Sequence, residues 1–124
     1  MTHIIHKEES YIIIGKCMEV HNELGAGFSE IVYKDALEYE LKKAEIPYTR
    51  EKEYEVDYKG FILPHKFYAD FVVFDNIILE IKGVSKLKDE FTAHCLNYLK
   101  VSNNKLALLI NFGEPRLNYK RIVL

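Results

Sequence analysis

The chain has 124 residues, 48% of them apolar and 29% charged, and a formal net charge of −2. That length holds one domain with a real core (1–124) and hardly two, and the balance is that of an ordinary globular protein. The slight acidity argues against a protein that works by coating nucleic acid, but it leaves room for an enzyme with a local basic strip.

Ser10 to Leu24 reads as a first helix, with Ser10 as a possible N-cap and Ile13, Cys17, Val20 and Leu24 at helical spacing. "GAG" (25–27) turns the chain. Phe28 to Ala44 or Glu45 reads as a second helix, started by Ser29 or the Gly27–Phe28 junction, with Pro47 beyond its end. Its apolar stripe is Tyr33, Leu37, Leu41 and Ala44, and Glu30 projects near the centre of that stripe. "EYEVDYKG" (53–60) alternates as a strand with one wet face, and "KG" turns into "FIL", where Pro64 limits the next piece to an edge or a strand end. "KFYADFVVF" (66–74) and "IILEIKG" (77–83) are apolar on both faces and read as central strands joined at Asp75–Asn76. Lys86 to Val101 reads as a third helix with Leu87, Phe91, Tyr98 and Val101 as its buried stripe and His94 among them. "LALLINF" (106–112) is a buried strand, and "NYKRIVL" (118–124) a last, peripheral one. The order describes an α/β fold with a mixed sheet and helices on both faces.

No apolar run approaches the roughly 20 residues of a membrane span, and "MTHIIHKEES" lacks the apolar core and cleavage site of a signal peptide. Cys17 and Cys95 lie far apart without metal-type spacing and suit a reducing compartment, so a cytoplasmic protein without a membrane partner is expected.

Four charges stand where the periodicity predicts burial: Glu30, Asp70, Glu80 and Lys82. A buried charge costs several kcal/mol unless it is paired or bound. On a strand Glu80 and Lys82 share a face, so a carboxylate and an ammonium stand side by side. Carboxylate oxygens suit Mg2+ or Mn2+, and a lysine can orient a water or stabilise charge developing on a phosphate. The bland alternatives are an ion pair at a wet strand end for Glu80–Lys82, a satisfied polar residue for Asp70 and a first-turn helix acid for Glu30.

Register decides whether Asp70 joins the others. A strict two-residue loop at Asp75–Asn76 pairs Phe74 with Ile77 and sends Asp70 to the face opposite Glu80. A three-residue loop or one β-bulge returns both acids to one face, so a functional site predicts such an irregularity between residues 70 and 80.

Asp70 followed by Glu80-Ile81-Lys82 resembles the motif of the PD-(D/E)XK nuclease superfamily. "GFSEIVYKDAL" (27–37) holds Gly27, Glu30 and Tyr33 in the arrangement that names its GxxExxY group, and "YADFVVFDNIILEIKG", "LALLINFG" and "KRIVL" are similar to that group's segments. The resemblance runs from about Tyr11 to Leu124. It implies a restriction-endonuclease-like mixed β-sheet flanked by helices on both faces. It also implies a divalent metal on Asp70, Glu80 and the Ile81 carbonyl, Glu30 as an additional acidic member, and Lys82 acting on the attacking water. His94, four residues before Tyr98, stands where the group usually carries a glutamine; both are candidate substrate contacts, and His94 is equally readable as an ordinary helix histidine or a mark of weakened activity.

Weaker features have simpler explanations. Cys17 and His21 are spaced as a metal pair could be, but packing explains them better. His3, His6 and His65 show no convergent spacing. Lys42, Lys43, Lys59 and Lys66, mixed with acids, read as solvated surface rather than the rim of a nucleic-acid groove. The sequence therefore points to a metal-dependent nuclease acting on DNA more than RNA. The alternatives are a non-catalytic nuclease-like module binding nucleic acid or a protein partner, and a subunit that needs a homodimer or partner chain for recognition.

Overall fold

A computed structural model describes residues 4–124, so His3 lies outside the described residues. The elements are α1 (Lys7–Leu24), α2 (Glu30–Lys43), β1 (Tyr48–Tyr58), β2 (Phe61–Val73), β3 (Ile77–Lys82), α3 (Asp89–Ser102), β4 (Leu106–Asn111) and β5 (Asn118–Val123). The strands form one five-stranded sheet in chain order, antiparallel except for the parallel pair β3–β4 that α3 connects. α1 and α2 cover one face, burying Ile13, Cys17, Leu37 and Leu41 against Phe71, Leu79, Leu108 and Ile110. α3, with Leu87 just before it, covers the other, packing Leu87, Cys95 and Leu99 on Ile78, Ala107, Leu109 and Ile122. Two covered faces explain why β3 and β4 are apolar on both sides.

Several boundaries differ from expectation. α1 begins three residues before Ser10, whose hydroxyl lies inside the helix and donates to the His6 carbonyl at 2.7 Å instead of capping it. α3 begins at Asp89, because Lys88 is extended, and its buried residues are Cys95 and Leu99; Phe91 and Tyr98 pack only at the margin. β1 begins at Tyr48, five residues early. Its alternation is hidden by Arg50 and Glu51: Arg50 stacks over Phe71, and Glu51 adopts a left-handed φ of 54°. β2 runs unbroken through Pro64, which sits where the β1–β2 register slips and no third strand needs its missing N–H.

The β2–β3 connection fixes the site. Val73 pairs with Ile77, so the loop has three residues, Phe74 to Asn76, with Phe74 and Asp75 both at positive φ. Carrying that register onward sets Asp70 across from Glu80, the arrangement that a functional site requires.

Candidate active site

The β2–β3 ladder stops at Phe71–Leu79, and beyond it the strands part. Alternation in β2 breaks at the fork: Ala69 belongs to the α3-side core and Phe71 to the α1/α2-side core. Side chains replace the ladder there. The Asp70 N–H donates to Glu80 Oε1 at 3.2 Å, and the Ile81 N–H donates to Asp70 Oδ2 at 2.7 Å. Two carboxylates are thereby locked beside each other at the mouth of the fork.

Their environment opposes double ionisation. Glu80 is 6% exposed; burial first, and then the Asp70 charge, push its carboxyl up to about 8. Burial also raises Asp70, against the opposing pull of the Ile81 N–H and of Lys34. Lys34, from α2, reaches Asp70 Oδ1 at 3.1 Å and Glu51 at 2.9 Å. Burial works against its charge, but these two carboxylates outweigh it, so its ammonium is held more firmly than usual. Lys34 was not singled out by sequence; its place four residues after Glu30, on one helix face, was the available signal.

Lys82 points to the α3 side, its Nζ 4.6 Å from the centre of the Phe91 ring. Among the described residues it makes no ion pair, so the Glu80–Lys82 pair that the sequence allowed is not formed. Its ammonium stands close enough to favour ionised Glu80 but remains uncommitted.

Glu30 holds a main-chain group beside the site. Its Oε2 accepts the Gly83 N–H at 3.0 Å. No trio of His, Cys, Asp or Glu side chains among the described residues is already gathered as an ion cage. Glu30 fastens the end of β3. Fully buried Asn111 holds the other side, accepting from the Val84 and Gly113 N–H groups at 3.0 Å and donating to the Val84 carbonyl at 2.8 Å. A Cβ on Gly113 would run into the Val84 backbone, so this position needs glycine. Tyr33 completes the arrangement: its ring stacks on Phe112 at 4.7 Å, and its hydroxyl donates to the Gly25 carbonyl at 2.6 Å and accepts from Phe28 N–H at 3.2 Å. Gly27, at φ 114°, supplies the turn before them. Asn111 and Gly113 were missed because their role depends on the neighbouring strand.

His94 is exposed on α3, and Tyr98, one turn on, is half-buried. Cys17 and His21 are packing residues: both are buried, and His21 Nε2 meets the Glu114 carbonyl at 2.9 Å.

The chain has counterparts among known proteins. A sequence profile described as the PD-(D/E)XK nuclease superfamily matches residues 7–122. The chain belongs to the PD-(D/E)XK nuclease superfamily. The crystal structure of SSO0001 is similar, with a TM-score of 0.60 and 22% identity, over 74% of this PD-(D/E)XK chain and 48% of that one. The chain thus spans about half the length of SSO0001. The alkaline exonuclease LHK-Exo from Laribacter hongkongensis is similar with a TM-score of 0.54 and 12% identity, over 99% of this chain and 72% of that one. At these identities the likeness is one of fold. No curated protein matches the chain. The mixed five-stranded sheet with helices on both faces is therefore a PD-(D/E)XK nuclease fold.

Proposed function

We propose that residues 1–124 act as one nuclease domain of the GxxExxY group that hydrolyses nucleic-acid phosphodiester bonds, DNA in preference to RNA, with Mg2+ or Mn2+. The observation that carries this reading is the Asp70–Glu80 pair at the strand fork. Its donor set fits a hard divalent cation: two carboxylates stand side by side, and their mutual repulsion has no full protein counter-charge. Asp70, Glu80 and the main-chain carbonyl of Ile81 are the proposed ligands. The cation would supply Lewis-acid polarisation of the phosphate and a more acidic water.

The chain's own residues do the rest. Lys82 Nζ, free of any carboxylate among the described residues and resting on Phe91, orients the attacking water and faces the charge growing on phosphorus-bound oxygen. Glu30 and Asn111 hold the Lys82–Val84 segment from two sides, which keeps that ammonium in place. His94 and Tyr98, which line one hollow between β2 and α3, are the proposed substrate contacts, with His94 donating to phosphate. Assembly as a homodimer or with a partner chain belongs to the same proposal: β5 is an edge strand, and exposed Tyr11, Met18 and Tyr119 line an apolar groove beside it. Light scattering on the purified chain measures that.

The test is cleavage of single- and double-stranded DNA and RNA with Mg2+, Mn2+ or EDTA. Metal-dependent cleavage is expected to fall roughly 100- to 10,000-fold in Lys82→Ala and in Asp70→Asn. A second reading, a nuclease-like module that binds without turnover, is favoured by the net charge of −2 and by His94. It predicts intact substrate throughout and binding that survives Lys82→Ala.

A further inference from the structure

A hollow of about 310 Å3 lies between β2 and α3, lined by His65, Lys66, Phe67 and Tyr68 of β2 and by His94 and Tyr98 of α3. Only Ala69 separates Tyr68 from Asp70 in the chain. Tyr98 lines the hollow from α3, and burial first, then the charges of Glu80 and Asp70, push its phenol upward. The volume is at the low end for ligand sites, enough for a single ring system.

The lining is selective in character. No carboxylate contributes to it, although the chain as a whole is acidic. Phe67 forms its floor, edge-on to His65 at 4.8 Å and to Tyr98 at 5.8 Å. Lys66 is already held by Glu55 at 3.2 Å and the Tyr68 hydroxyl by Glu53 at 3.0 Å. The exposed imidazoles of His65 and His94 are the donors left at the mouth. Aromatic walls with hydrogen-bonding groups at the rim match a flat heterocycle that carries an anionic linkage.

We propose, building on the nuclease reading above, that this hollow receives one unpaired nucleobase next to the phosphate to be cleaved, so that substrate arrives as a single strand or a frayed end. A base inside a duplex has both faces covered by its neighbours and cannot enter a one-ring hollow; an unpaired base stacks on aromatic walls whatever its identity. Stacking on Phe67 and Tyr98 holds the base, and His65 and His94 donate to its edge or to the flanking phosphate.

The test measures binding without turnover. Fluorescence anisotropy with Ca2+ in place of Mg2+ compares a short dye-labelled oligothymidylate with a blunt duplex of equal length. The single strand is expected to bind about ten-fold tighter or more, and Phe67→Leu to weaken it by roughly 5- to 100-fold. The variant His65→Ala, at an exposed position outside the core, is expected to weaken the single strand and leave the duplex unchanged. A 5-iodouracil oligonucleotide is expected to cross-link to Phe67, Tyr68 or Tyr98. Equal affinity for strand and duplex, no binding at all, unaltered affinity in these variants, or cross-links elsewhere would overturn the proposal. The two readings fail differently. A chain that holds the strand here but cleaves nothing keeps the base site and loses hydrolysis. A chain that cleaves blunt duplex at an unchanged rate in the variants keeps hydrolysis and loses the base site.

Discussion

Protonation of Glu80 gives the metal-free protein a pH dependence. In the fold its carboxyl releases the proton only near about 8, against 4.5 in the unfolded chain. Between those values the folded state binds the extra proton, so stability falls as pH rises through that window. Thermal melts in EDTA at pH 5, 6.5 and 8 are expected to show a declining Tm, and Glu80→Gln is expected to flatten that decline. Mg2+ or Mn2+ should raise Tm most at the alkaline end, where both carboxylates are free of protons. Lys34 carries the complementary prediction. Removing a partly buried partner leaves Asp70 and Glu51 facing each other, so Lys34→Met is expected to cost about 1–3 kcal/mol in urea unfolding without metal. Asp70, Glu80 and Lys82 were legible in the sequence because each interrupts an apolar run. Lys34 was not, because a lysine on a helix surface is ordinary until β2 and the kinked Glu51 bring two carboxylates to it.

Among the elements, the end of β3 is the part most tightly specified by its neighbours. Asn111 satisfies three main-chain groups of the segment after Lys82 and of Gly113. Asn111→Leu leaves them buried without partners, at an expected cost of about 2–4 kcal/mol, read by urea unfolding. Tyr33→Phe loses the links to Gly25 and Phe28 and is expected to cost only about 1 kcal/mol, because the stack on Phe112 survives. The two central strands, the stripes of α1 and α2 and the odd loop at Phe74–Asn76 follow from periodicity and from the register that paired acids demand, except that Ala44, expected in the α2 stripe, is the exposed C-cap residue past the end of that helix. The start of α1, the start of α3 and the first five residues of β1 do not. Ser10 looks like a cap and is a core residue, bonded to His6 and to Arg121 across the fold. Glu30 looks like a ligand because it projects from a buried stripe, and only the tertiary approach of Gly83 shows what its oxygen accepts.

For the whole molecule, the modest cation supply sets how nucleic acid can be held. A net charge of −2 and a candidate site whose cations are Lys82 and the Glu55-paired Lys66 leave about two phosphates to be neutralised. The dependence of log affinity on log salt is therefore expected to have a slope of only about −2, far shallower than that of a basic DNA-coating domain. Anisotropy titrations with Ca2+ across a range of NaCl concentrations check it; a steep slope would mean a basic surface beyond these residues. No described helix is long and apolar enough to cross a membrane.

The 13-residue length of β2 has a mechanical corollary. Only Phe71, Val72 and Val73 are pinned between two strands, while Phe61, Ile62 and Lys66 to Ala69 ladder with β1 alone. The ribbon should therefore behave as a cantilever: clamped at one end, progressively more compliant towards the Lys59–Gly60 tip. Amide deuteration should record this as a gradient, slowest at the clamp and fastest where Tyr58, Phe61 and Ile62 meet solvent. The carboxylates stand at the root of that beam, so bending at the tip widens or narrows the fork beside them.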